Sequence, residues 1–137
     1  MSSPGSTDFV LACFPDQRFA MAQLRSDIKG DNIVEVGRAI AYHPDWQPGF
    51  TEVWDMRSAG VIDLVPTDLP KFQALETEIK EQLNGTRTLI IVDRPMIRYS
   101  LQFYARMVRP FGREIVVVQT SQEAADILGI EALPELA

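Results

Sequence analysis

Two uninterrupted apolar runs of strand length, Thr88-Leu-Ile-Ile-Val92 and Ile115-Val-Val-Val118, flank a segment whose apolar residues recur at helical spacing. A strand that is apolar throughout leaves no face for water and has to be covered on both sides. Strands that alternate with helices pair in parallel through right-handed crossovers. The chain is therefore constrained to a layered fold, with helices packed against a sheet.

The remaining elements follow from local pattern. Phe9 to Phe14 is a continuous apolar run, and after the turn residues Pro15-Asp-Gln17 the segment from Phe19 to Ile28 alternates in part, which predicts an antiparallel hairpin. Asn32 with Glu35 has the spacing of a reciprocal helix cap; Ile33, Val36 and Ile40 then share one face and Pro44 ends the helix. Gly49 leads into a strand, Thr51-Glu-Val-Trp-Asp-Met56. A second helix is predicted from near Thr67-Asp68, with the stripe Leu69, Phe72, Leu75, Ile79 and Leu83 and its stop at Gly85. A third carries Ile97, Leu101, Tyr104 and Val108 and closes at Pro110 and Gly112. Thr120 with Glu123 caps a last helix that runs through Leu128. The order is ββαβαβαβα: an α/β fold, one mixed sheet flanked by helices. The domain spans 9–129, after a flexible leader, 1–8, and before a tail, 130–137.

Composition narrows the function classes. The 137 residues suit one domain, and a formal net charge of -6 argues against general nucleic-acid binding, which needs a broad cationic surface. Cys13 is the single cysteine and His43 the single histidine, so there is no internal disulfide and no Cys/His zinc set. The apolar setting of Cys13 predicts a buried thiol, and His43 before Pro44 reads as a helix cap rather than a base. No serine elbow and no glycine-rich phosphate loop is present. Residues 1–7 lack the pattern of a signal peptide, and no apolar run approaches the roughly 20 residues of a membrane span. Cytoplasmic residence and no cofactor are the expectations.

Against the acidic whole, the segment from Arg94 to Arg113 holds five arginines and no acid. On a helical wheel Arg98, Arg106 and Arg109 fall together, opposite the apolar stripe, with Arg94 just before the helix and Arg113 just after it. Such a face either shields apolar surface with its long stems or receives an anion or acidic partner. Tyr99, Phe103, Tyr104 and Phe111, with Met96 and Met107, either complete the core or line a groove under this helix. Asp55, Arg57 and Asp93 are predicted near the carboxyl ends of parallel strands, the edge at which open α/β sheets bind ligands. Two close carboxylates there suit Mg²⁺; an ion pair with Arg57 or Arg94 is the plainer reading.

Taken together, His43-Pro44-Asp45, Pro48-Gly49-Phe50 and Trp54-Asp55-Met56-Arg57 resemble the "dP…pGf…l-D-[LM]-R" core of bacterial SpoIIAA-like proteins. Tyr99-Ser100-Leu101 to Arg106 and Thr120 to Leu128 resemble that family's later helices, so the likeness covers about residues 9 to 129. It implies a fold shared with STAS domains and, more distantly, CRAL-TRIO domains, and a module that docks on partner proteins. STAS modules that are switched by phosphorylation carry a serine in an Asp-Ser-Ser-Gly motif. The comparable stretch here is Asp63-Leu64-Val65-Pro66, without either serine or the glycine; nearby Thr67 reads better as a helix cap. Ser100 and Ile127 also depart from the family's frequent glycine and tryptophan.

The function expected is therefore a non-enzymatic regulatory or interaction module, docking an acidic partner through the arginine-bearing helix. The alternative is a carrier of a small amphipathic or lipid-like anion in a pocket near that helix. A metal-dependent hydrolase using Asp55 and Asp93 comes third. A homodimer through sheet edges left by the hairpin is open.

Overall fold

A computed structural model of the chain describes residues 7–95, 97 and 114–136. Among the described residues five strands form the main sheet: β1 (Phe9–Phe14), β2 (Phe19–Leu24), β4 (Thr51–Asp55), β6 (Arg87–Ile91) and β7 (Glu114–Val118), in the order β1-β2-β4-β6-β7. β1 pairs antiparallel with β2; every later pairing is parallel, so the sheet is mixed as expected. Two short strands, β3 (Ile28–Lys29) and β5 (Ile62–Asp63), make a separate parallel pair.

Helices α1 (Gly30–Ala41) and α2 (Leu69–Glu78) pack together on one face of the sheet; α3 (Ser121–Leu128) lies on the other. The period-2 alternation of the strands sorts side chains between two cores. Ala20, Ala22, Leu24, Trp54 and Ile90 face α1 and α2, whose Ile33, Val36, Ile40, Phe72 and Leu75 complete the larger core. Phe19, Met21, Val53, Leu89, Ile91 and Val118 face the other way and meet Ala124 of α3. Ile130, Leu133 and Leu136 pack on this thinner side.

Several local expectations are corrected. The segment Phe19 to Ile28 is not one strand: β2 ends at Leu24, and Ile28 leaves the main sheet to pair with Ile62 in β5, a strand too short to show a period. Helix α1 begins before Asn32, whose Oδ1 accepts the Lys29 amide at 2.6 Å from the third helical position. Glu35 is not its capping partner. Its carboxylate accepts the Thr7 amide at 3.1 and 3.2 Å and the Thr7 hydroxyl at 3.1 Å, anchoring the chain before β1. Helix α2 stops at Glu78, although Ile79 and Leu83 remain buried in the turns that follow. Its start is preceded by a 3-10 turn, Pro66–Asp68, capped by Asp68 rather than by exposed Thr67: the Val65 amide donates to Asp68 Oδ2 at 2.9 Å. His43 does not cap the α1 carbonyls either; its Nδ1 accepts the Asp45 amide at 3.1 Å. Cys13 is only half-buried, on the edge strand. The cap on α3 is as read, with the Glu123 amide donating to Thr120 Oγ1 at 3.1 Å, and Gly129 ends the helix at φ 74°.

Candidate functional site

The carboxyl ends of β4 and β6 bring three of the sequence candidates together. Asp55 closes β4 and is 1% exposed. The chain turns immediately after it, so Arg57 folds back over the strand end. Its Nε and Nη2 donate to the two Asp55 oxygens, each at 2.9 Å, while the Arg57 amide donates to Oδ1 at 3.1 Å. This two-pronged geometry is the strong form of a charge-assisted pair. Hydrogen bonding to the Asp55 carboxylate raises the Arg57 pKa above its ordinary value, against the opposing effect of burial, and the nearby charge of Asp93 adds a smaller contribution. Asp55 therefore reads as an orienting partner for Arg57. Both its oxygens are engaged, and a metal would have to displace the guanidinium.

A cleft of about 440 Å³ opens beside this pair, on the α3 side of the sheet. Met21 and Gln23 of β2, Asp55, Arg57, Ser121 at the start of α3, and residues 133–136 line it. Arg25 donates to Gln23 Oε1 at 2.8 and 3.1 Å and to the Leu136 carbonyl at 3.0 Å, tying the far wall to β2.

Arg94 follows β6 at the same edge. Its Nη1 and Nη2 donate to the carbonyl oxygens of Gly60 and Ala59, so this guanidinium braces a loop rather than standing clear for an anion. Arg98, Tyr99, Arg106, Arg109 and Arg113 lie outside the described residues, as do Met96, Phe103, Tyr104, Met107 and Phe111.

The loop that Arg94 holds, between β4 and α2, contains the Asp63-Leu64-Val65-Pro66 stretch, and nothing local in the sequence shows how it is braced. It is fixed from several directions. The Gly60 amide donates to the Ser26 carbonyl at 3.1 Å, the Val61 amide to Asp27 Oδ1 at 2.8 Å, and the Ile28 amide to the Val61 carbonyl at 2.8 Å. A Cβ on Gly60 would overlap the Asp27 carboxylate, so glycine is what lets this brace close. Yet Val61 is 65% exposed and Val65 45% exposed, the former the most exposed large apolar side chain among the described residues. The signal available in sequence was the apolar run Val61-Ile-Asp-Leu-Val65 between Gly60 and Pro66, too mixed to read as a core strand.

Among the described residues no group of three or more His, Cys, Asp or Glu side chains is arranged to hold a metal ion. None of their helices is long and apolar enough to cross a membrane.

Comparison of the coordinates with solved structures finds an uncharacterised DUF3478-family protein from Shewanella loihica PV-4, described as having a SpoIIAA-like fold. It aligns at a TM-score of 0.56 and 14% identity, over 93% of this chain and 98% of that one. The fold is SpoIIAA-like. Unphosphorylated SpoIIAA, an anti-sigma factor antagonist, aligns at a TM-score of 0.49 and 15% identity, over 89% of this chain and 98% of that one. The phosphorylated form of the Bacillus cell fate determinant SpoIIAA aligns at 0.47 and 14%, over 88% and 99%. Neither family models nor curated proteins match the sequence.

Proposed function

We propose that the protein is a non-enzymatic regulatory module that works by docking on another protein, with the loop between β4 and α2 as the apolar centre of its docking surface. The observation that carries this reading is the combination of exposure and fixation at Val61 and Val65. Apolar side chains on a loose loop need no explanation. Held outward by a set of hydrogen bonds, they resemble a preorganised interaction patch, which loses little freedom on binding. The SpoIIAA-like fold agrees with this reading, because the family resemblance implies modules that dock on proteins.

The arginines of the segment that starts at Arg94 supply the charged part of the proposal. Arg98, Arg106, Arg109 and Arg113 would select an acidic partner, while Val61 and Val65 provide apolar contact. Charge complementarity of this kind chiefly raises association rate and discriminates between partners. The test is affinity capture from the native host with wild type, with Val61→Ser/Val65→Ser, and with Arg98→Glu/Arg106→Glu/Arg109→Glu. One protein should be retained by wild type and lost from both variants while their melting temperatures hold. An unchanged capture profile would contradict the docking role.

The cleft beside Asp55 and Arg57 supports a second reading, a carrier of a small anion. Its volume, about 440 Å³, lies within the range of small-molecule sites. Native mass spectrometry of protein from its own host separates the two: a bound organic anion lost with Arg57→Gln favours the carrier. A hydrolase reading would require Mg²⁺ to perturb the NMR signals of Asp55 and Asp93, and silence at both rejects it.

A further inference from the structure

Among the described residues strand β1 is the end strand of the sheet, and its backbone parity determines which groups it offers outward. The register pairs Phe9 with Leu24 and Phe14 with Phe19. In the same register Asp8 lies opposite Arg25, and the Arg25 amide donates to the Asp8 carbonyl at 2.9 Å. In an antiparallel ladder such bonded pairs alternate with unbonded ones. Val10, Ala12 and Phe14 therefore point their amides and carbonyls at β2. Phe9, Leu11 and Cys13 point theirs away from the sheet.

These three residues are symmetric about Leu11. A second copy of β1 laid antiparallel, with a two-fold axis at Leu11, puts Phe9 opposite the partner's Cys13 and Leu11 opposite the partner's Leu11. All six outward N–H groups of the pair then meet outward carbonyls. Sliding by one step in either direction loses part of the set. The side chains also fit this occupant. Phe9-Val-Leu-Ala-Cys-Phe14 has no charge to repel itself across an axis, and no proline or lysine of the sort that blunts exposed edges. All six residues are half-buried, so each has surface left to cover. On the α1 side Leu11 would meet Leu11, and on the α3 side Val10 would meet the partner's Ala12.

We propose that two copies of this chain join through β1 into one continuous ten-stranded sheet, with the two-fold axis at Leu11. The contact is isologous, so it closes as a dimer instead of growing into a fibre. It is independent of the docking loop and of the cleft.

Light scattering after size exclusion tests it. Wild type should have twice the 15.4 kDa chain mass. Leu11→Pro removes an amide that points outward and leaves the β1–β2 ladder whole, so it should give a folded monomer. Leu11→Lys, which sets two ammonium groups against each other at the axis, should do the same and covers failure of the proline variant to fold. Leu11→Cys in a Cys13→Ser background should form a disulfide-linked dimer on mild oxidation, because directly paired strand residues lie within disulfide reach. Monomeric wild type, a dimer that survives both Leu11→Pro and Leu11→Lys, or no crosslink at position 11 would each overturn the proposal.

Discussion

Val36 and Ile40 on α1, and Val61 and Val65 on the loop after β4, are apolar side chains of similar size that the same fold treats in opposite ways. The first two are 0% exposed between α1, α2 and the sheet. The second two look into solvent from a backbone bonded nearly as tightly as a strand. Burial of the first pair contributes to the stability of the fold. Exposure of the second pair contributes nothing to folding, and a loop so thoroughly braced does not expose them through slackness. Under the proposed docking role, stability and recognition would occupy separate regions of one small domain, and each should be breakable without the other.

The largest effect belongs to the buried side. Ile40→Ala should destabilise the protein by about 3 kcal/mol, since it removes a fully buried aliphatic group and leaves a cavity under α1. Equilibrium urea unfolding monitored by circular dichroism measures it; a loss below about 1 kcal/mol would mean that the α1–α2 layer collapses onto the space.

Arg57→Ala is expected to cost less, about 2 kcal/mol. It leaves the Asp55 carboxylate buried without its partner, yet the guanidinium it removes is 36% exposed, so the full penalty of a buried pair is not reached. Asp55→Asn/Arg57→Leu should recover part of that loss, which a double-mutant cycle reads directly.

Gly60→Ala sharpens the contrast further. Its new methyl would strike the Asp27 carboxylate and open the brace on Val61. Hydrogen exchange should quicken at the Val61 and Ile28 amides, whose acceptors are Asp27 and Val61, while the amides of β4 and β6 keep their protection. Equal loss in the sheet would show that loop and core are one cooperative unit.

The smallest effect is a pH term. Glu78 accepts Arg38 Nε at 3.0 Å and Tyr42 Oη at 3.1 Å, and the bonds from Arg38 lower its pKa below the usual glutamate range. A lowered carboxylate contributes stability above its unfolded pKa and loses it as pH falls through the folded one. Glu78→Gln should therefore lower stability slightly at neutral pH, leave it nearly unchanged at acid pH where the native carboxylate is protonated, and so flatten the acid limb of the profile. A difference confined to acid pH would contradict the sign.

The layered fold was legible in the sequence because its strongest signals are long-period ones. The apolar runs at 88–92 and 115–118 and the α1 stripe report burial directly. What sequence could not show depends on contacts distant along the chain. Glu35 has perfect local spacing for a cap on Asn32, but Thr7 claims its carboxylate. Ile28 continues an alternating run, yet Ile62 draws it into another sheet. Asp55 and Arg57 were recognisable as a pair because they are two residues apart. The loop at Val61 was not, because nothing local to it says that Ser26, Asp27 and Arg94 will hold it from three sides.

The most direct test of the separation is one comparison of Val61→Ser/Val65→Ser with wild type, measuring thermal stability and capture of a protein partner from the native host on the same preparation. The account predicts an unchanged melting temperature with the partner lost. A partner retained in full, or a melting temperature that falls as far as that of Ile40→Ala, would contradict it.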